Sequence, residues 1–159
     1  MTTLYVKDSG GFREACDEEI LHRAQGVLGK RFRVGSPVLT SPARTREFLR
    51  IRLGALDYEV FGCLHLDKRH RLITAEDLFR GTIDGASVHP REIVRSVIHH
   101  GAAAVVLYHN HPSGQASPSQ ADELITARVR EGLALIDVRV LDHILGGFCS
   151  VTPAFKTYQ

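Results

Sequence analysis

The sequence predicts an α/β fold of mixed α+β character, with helices layered on a mixed β-sheet. Three observations carry this expectation. Segments with helical periodicity alternate with segments rich in β-branched and aromatic residues. The continuous apolar run from Ala102 to Tyr108 reads as a buried central strand. The segments Tyr58 to Leu66 and Leu72 to Thr82 read as a hairpin around Asp67-Lys68-Arg69-His70-Arg71, so some neighbours in the sheet are antiparallel.

Taken in order, Phe12 to Leu28 has Phe12, Cys16, Ile20, Ala24 and Val27 at helical spacing, with Glu14, Asp17, Glu18 and Arg23 opposite. Arg31 to Val34 is a candidate short strand, and Gly35-Ser36-Pro37 breaks the chain. Ser41-Pro42 has the form of an N-cap and first helical residue, opening a helix to about Ala55 with Leu49, Leu53 and Leu56 on one side. Asp84-Gly85 marks a turn after the hairpin. Pro90 to His100 reads as a helix closed by Gly101. After the central strand, Asn110 to Pro118 is loop-forming. Ser119 to Glu131 is a helix with Leu124, Ile125 and Val129 inward. Leu133 to Leu145 is strand-rich, and a last short strand lies near Phe148 to Val151. The expected organisation is an N-terminal helical extension over 1–40 and one domain over 41–159.

The 159 residues suffice for a core without disulfides. A net charge of +2 is too mild to argue for a nucleic-acid partner by itself. No apolar run is long enough to span a bilayer, and no signal pattern opens the chain, so the expected location is cytoplasmic. Cys16, Cys63 and Cys149 form no metal-type or disulfide-type spacing and read as reduced, buried thiols. Arg44, Arg46, Arg50 and Arg52 form a basic set on the second helix. It is either a solvated face or a contact for an acidic partner such as nucleic acid.

His109 and His111 end the central strand. Residues two apart on a strand point the same way, so both rings can approach one metal ion. Pro112 then turns the chain out of the ladder. Asp122, in the first turn of the next helix, is a third candidate ligand. Two histidines and one carboxylate suit Zn2+ and leave one tetrahedral position for water, as in catalytic sites. Each part has an ordinary reading as well: H-x-H is common, and Ser119-x-x-Asp122 is a capping box. The combination is much rarer than its parts.

These residues, His109-x-His111-Pro112 with Ser119-x-x-Asp122, resemble the JAMM motif of the MPN (JAB) metalloprotease superfamily. The stretch His109 to Gly114, together with Leu78 to Thr82, Pro90-Arg91-Glu92 and Leu141-Asp142-His143, resembles more narrowly its RadC-like (UPF0758) branch. The resemblance covers roughly Thr40 to Gly147. It implies cytidine-deaminase-like α/β/α layers and zinc-dependent hydrolysis of a peptide or isopeptide amide. It implies His109, His111 and Asp122 as zinc ligands, Ser119 as oxyanion donor, and an upstream glutamate as general base. Glu59 stands where that glutamate is expected, just after a helix at the start of the first core strand. Glu76 and Glu92 are rivals. Full-length relatives generally carry an N-terminal helix-hairpin-helix region. About forty residues precede the core here, so a DNA association is not carried over.

The remaining histidines are read mainly as structural. His65 lies on a strand, His99 and His100 close a helix, and His89 enters one. His143 follows Asp142, and that pair is either structural or an outer support for a site. The alternative to an enzyme is a non-catalytic, zinc-containing interaction module with a protein or nucleic-acid partner. Substrate and oligomeric state are not legible.

Overall fold

The computed structural model describes residues 3–31, 41–54, 56–81, 88–113, 117–146 and 149–151. The chain opens with an antiparallel pair, β1 (Tyr5–Asp8) and β2 (Gly11–Glu14), followed by α1 (Asp17–Arg31). Next come α2 (Pro42–Leu53), β3 (Val60–Leu66), β4 (Leu72–Arg80) and α3 (Pro90–His100). The chain continues through β5 (Ala104–His109), α4 (Gln120–Ala134), β6 (Arg139–Leu145) and β7 (Cys149–Ser150). The main sheet has the order β4-β3-β5-β6-β7. Only β5 and β6 are parallel, and α4 makes the crossover between them. The expected mixed sheet is therefore present.

Both faces of this sheet are covered. On one, Phe48, Leu49 and Leu53 of α2 pack on Val60, Leu64, Leu66, Val106, Tyr108 and Ile144. On the other, Ile93 and Val97 of α3 and Val129 and Leu133 of α4 pack on Phe61, Cys63, Val105, Leu107 and Val140. Each fully buried aliphatic side chain contributes about 1.5–3 kcal/mol. The result is an α/β/α layering in which β5, central in the sheet, is buried along its whole length.

Local signals explain most boundaries. The Ser41 hydroxyl accepts from the Arg44 amide at 3.3 Å and Pro42 follows it, so α2 starts where the sequence places it. Gly101 adopts φ 60°, a left-handed conformation glycine takes without strain, and ends α3.

Several expectations need correction. The first helix begins at Asp17 rather than Phe12. Residues Gly11–Glu14 form β2 instead, and Phe12 is exposed. A helical spacing that includes Phe12 was satisfied by chance, because the hairpin satisfies its backbone by pairing with β1. Cys16 is exposed, Cys149 is half-buried, and only Cys63 is buried. In α4, Leu124 is exposed, while Thr126 takes an inward position beside Val129 and Leu133. The helix also runs further than expected, to Ala134, so β6 begins only at Arg139. Arg31, expected to open a short strand at 31–34, is instead the last residue of α1, while residues 32–34 and the Asp84-Gly85 turn lie outside the described residues.

Candidate metal centre

His109 is the last residue of β5, and Asp122 is the third residue of α4. Both therefore sit at the carboxyl end of the parallel strand pair, where open sheets commonly bind ligands. His109 is 1% exposed, and its Nε2 lies 3.1 Å from His111 Nε2 and 3.0 Å from Asp122 Oδ1. Tetrahedral ligands on zinc bonds of about 2.0–2.1 Å lie roughly 3.4 Å apart. These three residues are thus grouped so that they could hold one metal ion.

Asp122 divides its carboxylate between two tasks. Oδ1 faces His109, while Oδ2 accepts from the Ser119 amide and the Ser119 hydroxyl, each at 2.7 Å. The Asp122 amide in turn lies 3.2 Å from Ser119 Oγ, completing the expected capping box. Burial opposes ionisation of Asp122, but the interactions with His109 and Ser119 outweigh it and hold the carboxyl well below the usual carboxylate range. A carboxylate kept in its ionised form is a suitable ligand for a cation.

His143 supports the buried ring from behind. His109 Nδ1 meets His143 Nε2 at 2.8 Å, and His143 Nδ1 meets Thr126 Oγ1 at 2.5 Å. The Thr126 hydroxyl donates to the Asp122 carbonyl. That last bond fixes the direction of the chain. Thr126 has spent its proton on the carbonyl, so it accepts from His143 Nδ1–H. His143 Nε2 then accepts from His109 Nδ1–H, so Nε2 is the nitrogen that His109 turns toward His111 and Asp122. Burial, then the neighbouring His109, pushes the His143 pKa down to about 3, so its ring is neutral as this chain requires. Phe61 packs edge-on against His143 and stacks on His109. Asp142, by contrast, lies on the other face, where it accepts from the His143 amide and the Ser150 hydroxyl. Of the sequence-adjacent pair, His143 alone reaches the centre.

Glu59 immediately precedes β3 and is half-buried. In the antiparallel register Phe61 faces His109, and the Asn110 amide donates to the Val60 carbonyl. Continuing that register sets Glu59 across from His111. Asn110 also clamps both neighbours of Glu59. Its Oδ1 accepts from the Val60 amide at 2.8 Å and its Nδ2 donates to the Tyr58 carbonyl at 3.0 Å. The Glu59 carbonyl itself accepts from the Gly81 amide. The two rivals are engaged elsewhere. Glu76 contacts Ser96 and His100, and Glu92 pairs with Arg95 within α3.

Sequence reading missed Asn110 and Thr126. Asn110 is the middle residue of H-x-H, and Thr126 stands one helical turn after Asp122, so helical spacing could have found it. The basic set of α2 is divided. Arg44 and Arg50 are exposed, while Arg46 and Arg52 are half-buried and Arg52 pairs with Asp77 at 3.0 Å.

The family profile of the RadC-like JAB domain matches residues 39–154. A UPF0758 protein of Thioalkalivibrio sulfidiphilus is 63% identical over 109 residues, covering 69% of this chain and 49% of that protein. One from Nitrosococcus oceani is 62% identical over 110 residues, with the same coverage. One from Vibrio cholerae is 51% identical over 131 residues, covering 82% of this chain and 83% of that protein. The chain belongs to the RadC-like JAB (UPF0758) family. It spans about half the length of the first two relatives. Among the described residues, no helix is long and apolar enough to cross a membrane.

Proposed function

We propose that this chain is a zinc-dependent metallohydrolase that cleaves a peptide or isopeptide amide bond. The observation that carries the reading is the convergence of His109 Nε2, His111 Nε2 and Asp122 Oδ1. The hydrogen-bond chain through His143 and Thr126 turns His109 Nε2 into the cluster. Zinc, when bound there, supplies Lewis-acid activation of water and of the scissile carbonyl. Three protein ligands leave one position open for exchange.

The chain's own residues perform the remaining steps. Glu59 takes the proton of the attacking water and delivers it to the leaving nitrogen. Its position across from His111 and the Asn110 clamp on Tyr58 and Val60 support this role. Ser119 donates its hydroxyl to the developing oxyanion. To do so the hydroxyl turns away from Asp122 Oδ2, while the Ser119 amide continues to hold that oxygen. His143 is a positioning residue that acts through His109.

The test pairs metal analysis with hydrolysis of a panel of peptide and isopeptide conjugates. Wild type is expected to hold zinc at neutral pH and to cleave at least one conjugate. Glu59→Gln is expected to keep the zinc and lose about 10²–10⁴-fold in rate. A folded wild type that takes up no zinc contradicts the reading, and so does hydrolysis unchanged by Glu59→Gln.

A further inference from the structure

A second group of ligand-type side chains lies on the same face of the sheet, at the far end of β3. His65 of β3 is fully buried. Glu76 of β4 pairs with Cys63 and is therefore the diagonal neighbour of His65 on one face. Ser96 and His100 come from α3 at a spacing of one helical turn. Glu76 Oε2 lies 3.0 Å from His100 Nε2 and 3.5 Å from His65 Nε2. The two ring nitrogens are within 4.8 Å of each other. These separations bracket the roughly 3.4 Å expected between tetrahedral zinc ligands.

We propose that His65, Glu76 and His100 form a second divalent-metal site of zinc type, independent of the His109 centre. Two imidazoles and one carboxylate are a donor set that suits zinc among the common divalent ions. Ser96, 8% exposed, donates its hydroxyl to Glu76 Oε2 at 2.5 Å, which orients the carboxylate, and accepts from His65 Nε2–H at 3.0 Å; an ion on Nε2 displaces that proton, which His65 then carries on Nδ1. All three ligands stand on regular elements, which hold geometry better than loops. The side chains of Glu76 and His100 are 40% and 24% exposed, giving an ion a route from solvent.

The two centres cannot share ligands. Phe61, which faces His109, is four residues from His65, about 13 Å along the strand. An ion at the second site ties the β3–β4 hairpin to the last turn of α3. It therefore stabilises the fold by an amount that grows with the logarithm of free zinc above the Kd.

Zinc stoichiometry, measured on the full chain after equilibrium dialysis, tests the proposal. Wild type is expected to bind two equivalents. Glu76→Gln and His100→Ala, which alter partly exposed side chains on different elements, are each expected to bind one. Circular dichroism checks the folding of each. Asp122→Ala is expected to lose the other equivalent and keep the one that depends on His100. A single equivalent in wild type, unchanged in folded Glu76→Gln or His100→Ala, overturns the proposal and leaves the cluster a hydrogen-bonded network. Uptake lost in His100→Ala but unchanged in Asp122→Ala would instead count against the first centre alone.

Discussion

His109 presents one ring nitrogen to the cluster and gives the other to His143. The ring is thereby held in one orientation, with Nε2 directed at His111 and Asp122. Replacing His143 by Phe keeps an aromatic ring at this buried position and removes the acceptor for His109 Nδ1–H. Zinc affinity is expected to fall about 10–100-fold, as for loss of other outer partners of metal ligands. Isothermal titration with zinc measures it, and an unchanged affinity would show that the His143 contact does not orient the ligand. Asn110 works on the other side of the centre. By satisfying the Tyr58 carbonyl and the Val60 amide with one side chain, it fixes the backbone on either side of Glu59. The residue between the two histidines therefore links the ligand strand to the candidate base.

At the scale of elements, the pairing of β3 with β5 sets Phe61 opposite His109, with Glu59 just before β3 and His111 just after β5. Gly62 and Tyr108 are direct partners in that pairing. A Cβ on Gly62 would overlap the ring and hydroxyl of Tyr108, which is fully buried and donates to Asp77 Oδ1 at 2.6 Å. The tyrosine has no room to retreat, so glycine is needed here for close approach. Gly62→Ala is expected to cost at least about 1–3 kcal/mol, read as a lower midpoint in urea unfolding. An unchanged midpoint would mean that the strands separate more easily than their packing implies.

The same two strands predict an alkaline limit to stability. Burial raises the Cys63 thiol above its ordinary 9.0 and the Tyr108 phenol above its ordinary 10.0. The unfolded chain releases these protons first, so the stabilisation is complete below pH 9 and declines as pH rises. In chelator, unfolding free energy is expected to fall by about 1.4 kcal/mol per pH unit above pH 9, and about twice that above pH 10. Cys63→Ala is expected to remove the first slope. Stability that stays flat from pH 8 to 10.5 would contradict this account.

For the whole molecule, the parts legible in the sequence were those governed by local chemistry. The apolar run of β5, the Ser41-Pro42 start of α2, the Gly101 stop and the Ser119-x-x-Asp122 box each state their structure in a few residues. The grouping of His109, His111 and Asp122 is legible for the same reason, since strand alternation and a capped helix start bring these side chains together. What stayed hidden depends on tertiary packing. Nothing local says that Phe12 belongs to a hairpin. Strand alternation cannot tell which sheet face His143 takes, and it leaves Asp142 on the opposite one. The His65, Glu76 and His100 group draws on three elements, β3, β4 and α3, so no local pattern announces it. Glu59 is an intermediate case. The family resemblance picked it out, and the register with β5 supplies a physical reason for its place.

The central claim is that His109, His111 and Asp122 hold a zinc ion served by Glu59. Anomalous scattering at the zinc edge from crystals of the zinc-loaded chain tests it most directly. The account predicts a peak about 2.0–2.1 Å from His109 Nε2, His111 Nε2 and Asp122 Oδ1, with the Glu59 carboxylate within hydrogen-bond reach of the open coordination position. A zinc-loaded, folded protein with no peak among these three residues would contradict it. So would one in which Glu59 points away from that position.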